Sequence, residues 1–414
     1  MQKKLRIGSN EWIFYLLGLF STMTALSFGG ISVFYMLIIV AVLRRFIEIK
    51  MKLRFIPSRC KDILLISFFV LLSMVLNVMF YDYSILEGEW KPVIIKSSLV
   101  FVFMMLSISL LYGSDERVCL KKYFVDGLYA SCICQLVWAL LELVFWNWKN
   151  ISLNEVVFQD FFHIGLNVNW TITSEHSLRI AGIGWEPAYF SLTMVTGYLL
   201  SKKKLLKFLF ILGTIVSISR TGIIIMACAV VMEQLFFGPN KHSPKFLNHI
   251  IYLAIGIIFL GCCILFIPNI KNVAESTIIS IINWNETTSG RTHFSYIRYL
   301  PDMLKEVQLG HLFFGYGYGA SGLPYMLLHA KTYWNRTAAW SIESEWLNTF
   351  WGLGILGSIA YYSFIIKLII KNHDKNVKIL AVCLLIGGVF YVYSGTWLIF
   401  FFVLAYNNER SGMK

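Results

Sequence analysis

The feature that most constrains this chain is a repeating rhythm. Apolar runs of roughly 15 to 25 residues alternate with short loops that hold nearly all of the charge. In lipid a lone segment must satisfy its own backbone, which only a helix does. The runs fall at 12–27, 31–43, 63–80, 93–112, 123–146, 187–200, 205–218, 222–237, 250–267 and 346–366, and a last one covers 379–406. That last run has room for one tilted helix or for two short ones broken at Ser394-Gly395. The expected fold is therefore all-α: a polytopic membrane protein of about 12 transmembrane helices, or 11, forming a single membrane domain over residues 1–414. Composition agrees, since only 14% of the 414 residues are charged, against about a quarter in soluble domains.

A formal charge of +13 would suggest nucleic acid as the partner of a soluble protein. Here the basic residues lie in short loops between spans, where they set orientation, so no nucleic-acid partner is expected. If loops alternate between two sides, more than two thirds of the 36 Lys and Arg residues fall on one side. Both termini are then cytoplasmic, and two polar loops, 147–186 and 268–345, are external. The first run lacks a small-residue cleavage site, so no cleavable signal is expected. The eight cysteines show no C-x-x-C spacing and lie mostly in apolar runs, where they read as inert packing. Asn150, Asn169, Asn285 and Asn335 head N-x-S/T sequons in the external loops, a pattern that Asn-rich loops also produce by chance.

The external segments hold the residues suited to chemistry. Arg179 stands just before the run at 187–200, Arg220 in the turn between the next two, and Arg291 at the head of a predicted helix that carries Arg298 two turns on. Guanidinium binds phosphate oxygens in pairs, so arginines converging from separate external loops point to a diphosphate. Each taken singly is equally a headgroup anchor. Glu186 precedes Pro187 at a span entrance, and Glu343 and Glu345 precede the run at 346–366. Such carboxylates either complement a helix dipole or orient an arginine and accept a proton. His163, His176, His293, His311 and His329 show no metal-ligand spacing, and no metal or other cofactor is expected. Gly317-Tyr-Gly-Ala-Ser-Gly322 matches G-x-G-x-x-G, but without a strand–helix context it reads as a tight or flexible turn near a ligand.

Several of these pieces stand in a telling order. Arg179-x-x-Gly-x-x-x-Glu-Pro187 precedes one span, Ser219-Arg-Thr-Gly222 separates two, and Gly290-Arg291 heads the long loop. Phe314-Gly-Tyr-Gly317 follows, and Gly354-Ile-Leu-Gly357 lies in the next span. In this combination, over roughly residues 120 to 400, the chain resembles the O-antigen polymerase and ligase superfamily of bacterial polysaccharide assembly. The resemblance implies a metal-independent, membrane-embedded glycosyltransferase of the GT-C-like type in the bacterial inner (plasma) membrane, its large loop periplasmic. It would join oligosaccharide repeat units carried on undecaprenyl diphosphate, alongside a chain-length regulator and a flippase. Arg179, Arg220 and Arg291 would hold the diphosphate with Arg298 nearby, and Glu186, Glu343 and Arg291 are the catalytic candidates. Ligases of this superfamily carry a His-Asn where this chain has Glu343-Ser344, a departure that favours polymerase and leaves the base open between Glu343, Glu186 and neither. A polysaccharide or secondary transporter is the competing class; the chain shows no repeat between its halves, which such folds favour.

Overall fold

The computed structural model describes residues 9–23, 26–28, 31–48, 57–83, 90–112, 118–163, 180–184, 186–237, 296–328, 342–372 and 374–392. They are almost wholly helical. In order come α1 (Ser9–Phe20), a two-stranded hairpin of β1 (Ser27–Phe28) and β2 (Ile31–Ser32), α2 (Val33–Glu48), α3 (Pro57–Phe80), α4 (Trp90–Tyr112) and α5 (Val118–Lys149). A π-helical turn (Glu155–Phe161) precedes α6 (Pro187–Leu200), α7 (Lys204–Val216) and α8 (Arg220–Phe237). Three short helices, α9 (Leu300–Glu306), α10 (Leu309–Phe314) and α11 (Leu323–Leu328), lead to α12 (Glu345–Lys371) and α13 (Lys375–Gly387). The span expected at 250–267 lies outside the described residues.

Among the described residues, four stretches are by length and composition long and apolar enough to cross a membrane: Lys61–Phe80, Trp90–Leu111, Lys122–Lys149 and Glu345–Lys371, the last of them interrupted at Gly354. They make the chain a membrane protein. The apolar surfaces of α3, α4 and α5 split into a buried side and an exposed side, as lipid-facing helices do. α6 differs: Pro187, Ala188 and the run from Phe190 to Leu199 are buried, so it stands at the centre with α5, α7 and α8 around it. A helix apolar all round belongs in such an interior.

Close backbone approach fixes part of this packing. α1 lies along α5 where Gly18 meets Gly127; a Cβ on Gly18 would sit 2.1 Å from the Phe124 carbonyl oxygen, and one on Gly127 would sit 2.0 Å from that of Tyr15. Small residues let helices approach where no hydrophobic drive operates between them. At the opposite ends of the later helices, Lys207 binds Glu233 at 2.7 Å, Lys375 lies 3.9 Å from the same carboxylate, and Lys367 pairs with Asp62. These contacts tie α7, α8 and α13 together and α12 to α3.

Two helices depart from the expected spans. α13 stops at Gly387 and turns through residues 388–390, so the chain breaks well before Ser394-Gly395. The second departure is within α12. Gly354 has φ 68° and ψ −173°, outside the helical region and open in practice only to glycine. The helix folds back there. Tyr361 donates its hydroxyl proton to Glu345 Oε1 at 2.7 Å, and Tyr362 does so to the Glu345 carbonyl at 3.3 Å. Sixteen residues of straight helix would separate their backbones by about 24 Å, more than two side chains bridge. α12 is thus two arms, 345–353 and 355–371, lying against each other.

Candidate functional site

The site is built from helix ends. Glu186 is the N-cap of α6: its backbone is extended (φ −151°, ψ 159°), Pro187 follows, and its carbonyl accepts the Phe190 N–H at 3.1 Å. Proline costs nothing at that position, because its missing N–H would have no partner inside the helix. The cap position leaves the Glu186 side chain beyond the end of the helix, where it accepts a hydrogen bond from the Tyr391 hydroxyl.

Tyr391 lies in the turn that closes α13, and that turn caps α12. The Glu345 N–H donates to the Tyr391 carbonyl at 3.2 Å, the Trp346 N–H to the Gly388 carbonyl at 3.4 Å, and Ser344 Oγ to the same carbonyl at 3.3 Å. Amide donors at a helix start have no acceptor within their own helix, and the last turn of α13 supplies one. Glu343 sits just ahead of this cap. From the other side, Ser321 accepts the Ile342 N–H at 3.0 Å and donates to Asn348 Oδ1 at 2.5 Å, fixing the approach to Glu343.

The two carboxylates feel each other. Burial, and then the Glu186 charge, push the Glu343 carboxyl up to about 7. Both effects disfavour the ionised form, as expected for like charges in a shielded site. Burial, and then the Glu343 charge, raise the hydroxyl pKa of Tyr296, which lies ahead of α9. Glu345, named with Glu343 in the sequence, has another role: it is 6% exposed and held by Tyr361, so it joins the two arms of α12.

Arg220 reaches the same region by a chain of serines. It is the first residue of α8, not part of a turn as expected, because Ser219 caps the helix: its Oγ accepts the Gly222 N–H at 3.1 Å. Ser191 of α6 shares a 2.7 Å hydrogen bond with Ser217, whose Oγ also accepts the Ser219 N–H. Between them Ile218 takes φ 53°, a strained value for a β-branched residue. The start of α8 is thereby set beside the start of α6, one turn from Glu186. Arg298 is exposed, with its guanidinium 5.9 Å from the Tyr299 ring centre. Arg179 and Arg291 lie outside the described residues. Among the described residues, no three His, Cys, Asp or Glu side chains gather as a metal would require.

The glycine run is tightly turned, as expected, and its packing shows why. Gly315 (φ 76°) and Gly317 (φ 104°) let the chain run against the fold in α12. The Tyr316 N–H donates to the Trp351 carbonyl at 2.7 Å and the Gly317 N–H to the Gly352 carbonyl at 3.1 Å. These carbonyls have lost their helical partners at Gly354, so the two glycine motifs complete each other. His311 sits beneath, buried rather than solvated. Tyr83 donates to Asn77 Oδ1 at 2.6 Å and so accepts from His311 Nε2 at 2.5 Å, while Asn77 Nδ2 donates to the Gly315 carbonyl at 2.9 Å. The His311 ring stacks on Tyr316 at 4.1 Å, and burial lowers its pKa to about 4, leaving a neutral imidazole at physiological pH.

Sequence reading missed Tyr391, Ser321 and Asn348. Ser321 alone left a signal, a hydroxyl within a glycine run; Tyr391 lies inside what reads as a continuous apolar span. No protein-family model matches the chain, and no curated protein matches it either.

Proposed function

We propose that the chain polymerises oligosaccharide repeat units carried on undecaprenyl diphosphate, at the outer face of a bacterial plasma membrane. On this reading it is a GT-C-like enzyme of about 12 spans with cytoplasmic termini. The observation that carries the proposal is the junction of helix ends at which Tyr391 binds both Glu186 and the start of α12, just after Glu343, with Arg220 opening the neighbouring helix.

A sugar hydroxyl of the incoming unit attacks the anomeric carbon of the growing chain. The bond from that carbon to the diphosphate oxygen breaks, and the hydroxyl proton passes to Glu343. A base with pKa near the working pH combines availability with proton affinity, and Glu343 meets that condition. Arg220, with Arg179 and Arg291, compensates the charge that develops on the departing diphosphate. Glu186 sets the proton affinity of Glu343 through its charge.

The test is deletion followed by electrophoresis of the surface glycan. A strain that keeps a single repeat unit and loses the longer ladder supports a polymerase. Loss of the single unit as well favours a ligase or an exporter. One observation favours a second reading, a polysaccharide or secondary transporter: α12 is broken at Gly354, and broken helices line the sites of such proteins. On that reading Arg220→Ala leaves glycan length unchanged and blocks substrate crossing.

A further inference from the structure

We infer that the junction of helix ends lies inside the membrane, at the floor of a water-filled recess that receives the polar head of a lipid-linked substrate. The substrate class rests on the proposed reading; the depth and the water do not.

The depth follows from helix lengths. α6, α7 and α13 have 14, 13 and 13 residues, about 20 Å each at the rise of an α-helix. The hydrocarbon core of a bilayer is about 30 Å thick. All three helices have one end at the same ionic cluster. Lys207 of α7 binds Glu233 of α8 and lies over the Tyr198 ring of α6, and Lys375 at the start of α13 approaches the same carboxylate. Such a cluster belongs at a membrane edge. The opposite ends, at Glu186, Ser217 and Gly388, then stand at most about 20 Å in, and tilt only shortens the distance.

α5 gives the same level independently. Its Tyr129 hydroxyl meets Ser201 at the lysine-rich end of α6, and Gln135 accepts the Ile183 N–H just ahead of the other end. From Gln135 the helix runs on for about another 20 Å before it ends at Lys149. The junction is thus level with the middle of the 28-residue Lys122–Lys149 span.

Water follows from charge. Glu186, Glu343 and Arg220 are half-buried rather than sealed. Ionisable side chains at this depth face the interior of a bundle or a water-filled cavity, and avoid lipid. α6 is ringed by α5, α7 and α8, so the surface left at its start belongs to water. The non-helical backbone at 180–184, 217–219, 342–344 and 388–391 fits the same setting, since it is tolerated at membrane depth only inside protein or beside water. Towards the ionic cluster the way is closed by α6, buried from Phe190 to Leu199. The recess opens on the other side, the side of Lys149. A substrate whose chain stays in the bilayer brings its polar head to this floor without leaving the membrane.

The experiment is thiol labelling of the purified full-length protein in lipid nanodiscs with a charged, water-soluble methanethiosulfonate, read at each cysteine by peptide mass spectrometry. Thr221→Cys places a thiol at the floor, in a half-buried position beside Arg220. Native Cys134, exposed on α5 next to Gln135, reports on lipid at the same level. Thr221→Cys is expected to react about 100-fold faster than Cys134, because the reactive thiolate forms in water. Undecaprenyl diphosphate at about ten times its Kd should slow that reaction about 10-fold. Equally slow reactions mean no water at the floor, and equally fast ones mean no membrane at that level; either overturns the recess. A rate that undecaprenyl diphosphate leaves unchanged overturns the ligand. If Thr221→Cys does not accumulate, hydroxyl-radical footprinting of the wild-type chain decides: Tyr391 is oxidised while Phe103, exposed on α4, is not, and equal oxidation overturns the recess. Ladder formation is scored separately, so the recess and the polymerase reading can fail independently.

Discussion

Two of the polar clusters among the described residues, both at meeting helix ends, are organised on opposite principles. Around His311, hydrogen bonds run to backbone or to neutral partners: His311 Nε2 to Tyr83, Tyr83 to Asn77, Asn77 to the Gly315 carbonyl, while His311 Nδ1 is buried without one. Burial there favours an uncharged ring. Around Glu343, burial acts together with a like charge on Glu186. The first arrangement fixes a loop against a broken helix. The second leaves a carboxyl that changes protonation near neutral pH. Glycines and a histidine draw the eye in the sequence, yet they form the fixed cluster; the carboxylates form the responsive one.

The contrast is broken most severely at the fold in α12. A Cβ on Gly354 would lie 2.4 Å from the Phe313 carbonyl group, at a φ that side chains avoid. Gly354→Val is expected to cost about 3 kcal/mol or more, and to reduce accumulated, detergent-extractable protein below detection. Glu343→Gln is expected to leave protein levels unchanged while lowering polymer formation by about 100-fold or more, read as loss of the glycan ladder. Tyr83→Phe removes the link between His311 and Asn77 and is expected to cost about 1–3 kcal/mol in thermal unfolding, with glycan length retained.

The smallest effects have opposite signs in pH. His311 titrates near 4 when folded, against 6.5 for the free side chain. Its contribution to stability is complete above pH 6.5 and is lost as pH falls towards 4, because the unfolded chain takes up the proton first. Glu343 titrates near 7 when folded, against 4.5. Its contribution is complete below pH 4.5 and is lost as pH rises through 7. Melting temperatures should therefore show Glu343→Gln stabilising at pH 8 and not at pH 4.5, and His311→Gln flattening the decline on the acid side.

Much of the helical layout is legible from apolar length and charge. The span expected at 187–200 coincides with α6, because Pro187 and the lysines after Ser201 mark both ends. Hydropathy did not reveal that α12 folds back, since both arms are apolar and the break is one glycine in a run that tolerates several. It likewise concealed the turn after Gly387, whose carbonyls cap the start of α12, far earlier in the chain. Glu186 and Glu343 were legible as candidates from their place ahead of spans; their pairing was not, because it depends on tertiary contacts of α13. Arg220 was found for its type but expected in the turn before the helix, whereas it is the first residue of α8, the Ser219 cap being the overlooked signal. Arg298 was expected on one face with Arg291, which lies outside the described residues.

The most direct test of the carboxylate pair is the pH dependence of polymerisation by purified protein supplied with lipid-linked repeat units. The wild-type rate should rise with pH through a midpoint near 7 as Glu343 loses its proton. Glu186→Gln should move that midpoint to lower pH, by removing the charge that opposes ionisation, while His311→Gln should leave it in place. A rate that is flat between pH 5.5 and 8.5, or a midpoint indifferent to Glu186→Gln, would contradict the assignment of Glu343 as the proton acceptor.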